Sequence, residues 1–157
     1  MPRLFTGLEV PEHIRRELAL LRGGLFGARW IDEENYHVTL RFIGDVDEDV
    51  ARDADDELSR IRRKPFSLTL DQLAIFGGDR PRALIVKAQS VPALIDLQAE
   101  NERVLRRVGL PPEPRKYAPH VTLARLRQVS SIAAADYLAA HGLFATLTFQ
   151  VDRFVLF

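Results

Sequence analysis

One tetrapeptide, His-Val-Thr-Leu, occurs twice in this chain, at 37–40 and again at 120–123. Four histidines make six pairs. At about 0.07 per matching residue, three consecutive matches after some pair arise by chance in roughly two such chains per thousand. Valine and threonine favour strands, and side chains alternate along a strand. His37 and Thr39 therefore share one face while Val38 and Leu40 share the other, and His120, Thr122, Val121 and Leu123 divide in the same way. A fold for this chain must hold two strands, distant in sequence, each presenting an imidazole beside a hydroxyl. The valine and leucine of each copy bury against helices and stop the polar pair from swinging away.

The length, 157 residues, admits one domain or two half-domains sharing a core. Hydrophobic residues make up 46% and charged residues 28%, enough apolar material for a packed core and unlike a disordered chain. Twenty-two basic residues balance 22 acidic ones, so an anionic partner must be drawn by a local patch, which argues against a histone-like binder. There is no cysteine, which excludes disulfides, thiolate zinc sites and cysteine nucleophiles. With no run of 18 apolar residues and no signal-like hydrophobic start, the expectation is a soluble, cytoplasmic, monomeric protein without a membrane partner.

Residues 3–9 read as a strand, followed by a helix from Pro11 whose stripe Ile14, Leu18, Leu21 and Leu25 ends near Gly23-Gly24. Residues 37–43 form a strand closed by Gly44-Asp45. Asp47 opens a helix with Val50, Ala54, Leu58 and Ile61 on one face and acids in its first half. Strands follow at 66–71 and 83–88, then a helix at 91–108 with Leu94, Ile95, Leu97, Val104, Leu105 and Val108 inward, stopped by Gly109. Pro111 to Pro114 form a stiff loop before the strand 120–124, an alanine-rich helix ends at His141, and 145–157 alternates as one closing strand. Helices and strands segregate, which makes an α+β or mixed α/β domain.

Two imidazoles are the side chains best suited to exchange protons near neutral pH, one as acid and the other as base. That division suits in-line displacement at phosphorus, with threonine hydroxyls donating to non-bridging phosphate oxygens. Neither a metal nor another cofactor enters this scheme. A zinc site is not indicated, because two histidines without thiolates or a His-Glu-x-x-His helix do not make its ligand set. By the parity of the strand, Arg41 shares the face of His37 and is a phosphate candidate. Arg125 lies five residues after His120, on the opposite parity, and reaches the histidine face only where the strand bulges near Ala124. His13 and His141 receive structural roles, and Trp30, Phe42 and Phe76 are expected to fill core.

Arg3-Leu4-Phe5 with Pro11-Glu12, Arg29-Trp30 followed by Glu34 to Gly44, and Pro119-His120-Val121-Thr122-Leu123-Ala124-Arg125 occur in an order that resembles the two-histidine phosphoesterase superfamily. Within it the similarity is to the RNA 2′,3′-cyclic phosphodiesterases, also described as 2′-5′ RNA ligases, and it spans the whole chain. The resemblance implies an α+β, bilobal, pseudo-twofold fold over 1–157, with one His-x-Thr copy per lobe. Two antiparallel sheets would face a central groove with helices outside. It implies that His37 protonates the departing 3′ oxygen, that His120 activates water, and that Arg125 faces the substrate phosphate or nucleotide, with Thr39 and Thr122 as its hydrogen-bond donors. The substrate implied is RNA or an oligonucleotide ending in a cyclic phosphate, and the product a 2′-phosphomonoester. Many members carry an aromatic where this chain has Thr6, and Phe5 beside it has the opposite parity. The alternatives are a module that binds RNA ends without chemistry and a phosphodiesterase acting on a small cyclic nucleotide.

Overall fold

A computed structural model describes residues 3–157. Along the chain run β1 (Arg3–Glu9), α1 (Glu12–Ala19), β2 (Ala28–Trp30), β3 (His37–Asp45), α2 (Glu48–Leu58), β4 (Phe66–Phe76) and β5 (Ala83–Ala88). Then come α3 (Pro92–Val108), β6 (His120–Leu126), α4 (Ser131–Ala140), β7 (Leu147–Val151) and β8 (Val155–Leu156). Local chemistry accounts for several boundaries. Pro92 opens α3, where its missing N–H costs nothing, and Gly109 ends it at φ 109°, a left-handed turn that favours glycine. The Ser130 hydroxyl accepts from the Ala133 N–H at 3.0 Å and caps α4.

Two helices are shorter than their apolar stripes. Beyond α1 the N–H groups of Leu21 and Arg22 bond three residues back, to Leu18 and Ala19, and beyond α2 Ile61 bonds to Leu58. These tightened turns carry the apolar spacing past the helix proper, so Leu25 is still buried and Ile61 still packs on the core. Ile95, expected inward on α3, is 36% exposed.

The strands hydrogen-bond in the order β7-β4-β5-β6-β3-β1-β8, with β2 also on β6, and every pairing is antiparallel. The expected halves are joined into this one path at β3 and β6, which pair through Val38↔Val121. The closing segment is two strands instead of one. Val151 pairs with Phe66 at one end of the order, and Val155 pairs with Gly7 at the other. A flat sheet would set β7 and β8 about 29 Å apart at roughly 4.8 Å per strand. Four residue steps from Val151 to Val155 span at most about 14 Å. The sheet therefore curls, and its concave face becomes a groove.

The convex face is the core. Leu8, Val38, Val121 and Leu123 are fully buried and Leu40 nearly so, packed with residues of α1, α3 and α4 such as Leu18, Leu94 and Tyr137. Each such side chain contributes about 1.5–3 kcal/mol. The repeat's apolar half thus holds its polar half toward the groove.

Candidate functional site

β3 and β6 are antiparallel, and Val38↔Val121 is their shared pair. Carried one residue either way, that register sets His37 opposite Thr122 and Thr39 opposite His120. The two His-x-Thr copies therefore meet head to tail on the groove face. Each imidazole is held in the same manner. His37 Nδ1 donates to the Asn35 carbonyl at 2.8 Å and His120 Nδ1 donates to the Ala118 carbonyl at 2.6 Å. A carbonyl can only accept, so Nδ1 carries the hydrogen and Nε2 is left for the groove. His37 Nε2 lies 3.0 Å from Thr39 Oγ1.

Burial pushes both imidazoles below the ordinary value of 6.5. At His37 the Asn35 carbonyl works against this, and the positive charges of His120 and Arg125 add to it. At His120 the Ala118 carbonyl opposes and Arg125 adds. The charge of Arg125 reaches both imidazoles and that of His120 reaches His37, so the three groups share one electrostatic site.

Arg125 gets there through a bulge. Between β5 and β6 the register slips at Leu123, with Leu84 opposite Ala124 but Ile85 opposite Thr122. Leu123 and Ala124 are both buried and Arg125 comes out exposed on the histidine face. The same slip in β3 overturns the reading of Arg41. Thr6 pairs with Arg41 but Gly7 pairs with Thr39, so Leu40 and Arg41 are consecutive buried residues and Phe42 takes the exposed position. Arg41 is 5% exposed, its Nε donating to Glu102 Oε2 at 2.6 Å and its guanidinium also to the carbonyls of Phe42 and Pro111. It braces the protein and does not face the groove.

Aromatic residues surround the imidazoles. Phe5 stacks on His37 with ring centroids 4.6 Å apart, Phe157 stacks on Phe5 at 4.7 Å, and Phe76 meets His120 edge-on at 4.8 Å. Gly7 leaves room beside these rings, since a Cβ there would meet the Val38 carbonyl at 3.0 Å and the Phe157 ring at 3.3 Å. Thr6 is fully buried on the other face. A cavity of about 630 Å³ opens beside His37, bounded in part by Phe5, Asn35, Arg153 and Phe157. Trp30 packs on the core as expected. Phe42, 47% exposed, and Phe76 depart from their expected core roles. Extending the alignment of the two copies by two residues finds Phe42, because it then occupies the place of Arg125. Asn35 and Ala118 share an offset too, each two residues before its histidine. His13 is exposed on α1, and His141 stacks on Tyr137 at 4.1 Å at the end of α4.

Among the described residues no three His, Cys, Asp or Glu side chains are grouped as metal ligands, and no helix is long and apolar enough to cross a membrane. The chain is 39% identical over 106 residues to an RNA 2′,3′-cyclic phosphodiesterase of Aeropyrum pernix, covering 66% of this chain and 60% of that protein. A protein of the same name from Bacillus subtilis is 29% identical over 99% of this chain and 87% of its own length. The crystal structure of E. coli LigT complexed with 3′-AMP superposes with a TM-score of 0.77 at 26% identity, over 98% of this chain and 86% of that one. The family model for LigT-like phosphoesterases matches twice, at residues 8–86 and 86–157, and the chain belongs to the LigT-like phosphoesterase family.

Proposed function

We propose that this protein hydrolyses 2′,3′-cyclic phosphate ends of RNA or oligonucleotides to 2′-phosphomonoesters, as a monomeric cytoplasmic enzyme whose single bilobal unit carries one His-x-Thr copy per lobe. The observation that carries the reading is the matched pair of histidines, each tied through Nδ1 to a carbonyl two residues back and each turning Nε2 toward one groove, where that of His37 meets the Thr39 hydroxyl. The names of its relatives, RNA 2′,3′-cyclic phosphodiesterase, agree with it.

In this mechanism neutral His120 Nε2 takes a proton from a water as that water's oxygen attacks phosphorus. The bond from phosphorus to the 3′ oxygen breaks in line, and protonated His37 delivers its Nε2 proton to the departing oxygen. Thr39 and Thr122 hydroxyls donate to the non-bridging oxygens, and Arg125 offsets the charge that builds on them. The two imidazoles end with their protonation exchanged and reset through solvent. Both proton transfers come from side chains of the chain, so the scheme is metal-independent. With a ribose 5′-hydroxyl in place of water as the attacking group, the same displacement breaks the bond from phosphorus to the 3′ oxygen and forms a 2′-5′ linkage, and the reverse of that step cleaves it. Phe42, at the place in the first copy that Arg125 holds in the second, supplies an aromatic face for the nucleobase.

The test is incubation of the pure protein with a chelator and cyclic-phosphate-ended oligonucleotides, followed by mapping of the phosphorylated oxygen. A 2′-phosphate is expected, and a 3′-phosphate overturns the assigned polarity. His37→Ala and His120→Ala should each slow turnover by about a hundred- to ten-thousandfold. A loss in only one of them would break the paired mechanism, and tight binding of cyclic ends without turnover by the wild type would favour the binding module.

A further inference from the structure

β2 adds a short strand to the same edge of β6 that β3 uses, and in it Arg29 pairs directly with Arg125. Both side chains are exposed, and residues directly opposite in an antiparallel pair share a face, with Cβ atoms about 5 Å apart. Two guanidiniums therefore stand side by side on the histidine face of the sheet. Like charges in this position repel. Neither guanidinium has a carboxylate within ion-pair distance among the described residues, and what sets them apart from other unpaired arginines is that they stand directly opposite each other. The far neighbour of Arg125, across β5, is Ala83, which supplies no counter-charge either. Such a pair is stabilised by an anion placed between or across its two forks.

The two arginines are not equivalent toward the histidines. Arg125 adds its charge at both imidazoles, and Arg29 stands on the neighbouring strand level with Arg125, beyond the Val38↔Val121 pair that joins the two histidine copies. One phosphate at the histidines occupies Arg125. A second, covalently linked phosphate of the same strand then falls to Arg29.

We propose that Arg29 binds the phosphodiester adjoining the terminal cyclic phosphate, so that the site takes an oligonucleotide in preference to a lone nucleoside cyclic phosphate. This inference rests on the function proposed above and adds an upstream phosphate subsite to it. Arg29 is a substrate-binding residue in this scheme, without a part in proton transfer.

The experiment compares kcat/KM for a cyclic-phosphate-ended tetranucleotide and for a nucleoside 2′,3′-cyclic phosphate, in the wild type, Arg29→Gln and Arg107→Gln, across a salt series. Arg107 is exposed on α3, outside the site, and controls for the change in net charge. In Arg29→Gln the ratio of tetranucleotide to mononucleotide kcat/KM should fall about tenfold, and the salt slope for the tetranucleotide should shrink by about one. The ratio and slope should hold in Arg107→Gln. An unchanged ratio in Arg29→Gln, or an equal loss on both substrates, overturns the upstream subsite. A wild type that turns over neither substrate means that the hydrolytic reading has failed instead. Equilibrium binding of a 2′-phosphate-ended tetranucleotide to wild type and Arg29→Gln then decides the subsite separately, with equal affinities overturning it.

Discussion

A histidine is set up to carry protons when one nitrogen is anchored and the other faces the site, and the carbonyl tethers at Asn35 and Ala118 anchor Nδ1 of both imidazoles and leave Nε2 toward the groove, where that of His37 meets Thr39 Oγ1 at 3.0 Å. Their pKa values have a testable consequence. In the proposed mechanism His120 is neutral and His37 protonated, so kcat/KM should rise as His120 loses its proton and fall as His37 loses its own. Desolvation, with added positive charge from Arg125 at both sites and from His120 at His37, pushes both below 6.5, so both limbs of the bell and its maximum should lie on the acid side of that value. Glu9, the cross-strand partner of His37, is ion-paired with Arg153 at 3.1 Å. A kcat/KM profile measured on a nucleoside cyclic phosphate checks this, and a maximum well above 6.5 would contradict it.

The decisive feature of both His-x-Thr strands is one extra residue. Strict alternation along β3 and β6 would have put Arg41 in the groove and Arg125 outside it, and the bulges reverse both placements. Arg41 then becomes half of a buried ion pair with Glu102 of α3, whose other carboxylate oxygen accepts from the Glu113 N–H at 3.1 Å. The pair ties β3 and α3 to the proline loop that leads to His120. Arg41→Met should destabilise the fold by about 3 kcal/mol, the cost of leaving a buried partner unpaired, visible as a lowered urea midpoint at unchanged m. A raised KM at full stability would mean instead that Arg41 touches the substrate. A bulge needs one partner strand to accept two residues against one, a property of the pairing, so it is silent in the pattern of either strand alone. The second copy was readable through its arginine, the first only after the two were aligned beyond the leucine to Phe42.

Across the whole molecule, a proton relay between two lobes depends on how rigidly they are spaced. β3 and β6 share one backbone pair, and a second strut crosses nearby, where the partly buried Tyr117 hydroxyl donates to the Thr39 carbonyl at 2.7 Å. Tyr117 precedes His120 by three residues while Thr39 follows His37 by two, so this bond locks the two copies together. Tyr117→Phe keeps the ring and deletes the strut. It should cost no more than about 1 kcal/mol of stability, yet lower kcat about tenfold at nearly constant KM, because small misplacements of reacting groups are expensive. Parallel denaturation and steady-state kinetics check this, and an unaltered kcat would show that the backbone pair alone sets the spacing. The repeated tetrapeptide by itself determined which of its side chains face the groove, because alternation on a half-buried strand is local. The helix and strand periods, which are local, narrowed the class to α+β or mixed α/β. The curl of the sheet, the division of the closing segment between its two ends, the bulges that exchange Arg41 for Phe42 and deliver Arg125, and the strut at Tyr117 were decided only by the tertiary structure. Each depends on which strands become neighbours, and short-range spacing carries no record of that.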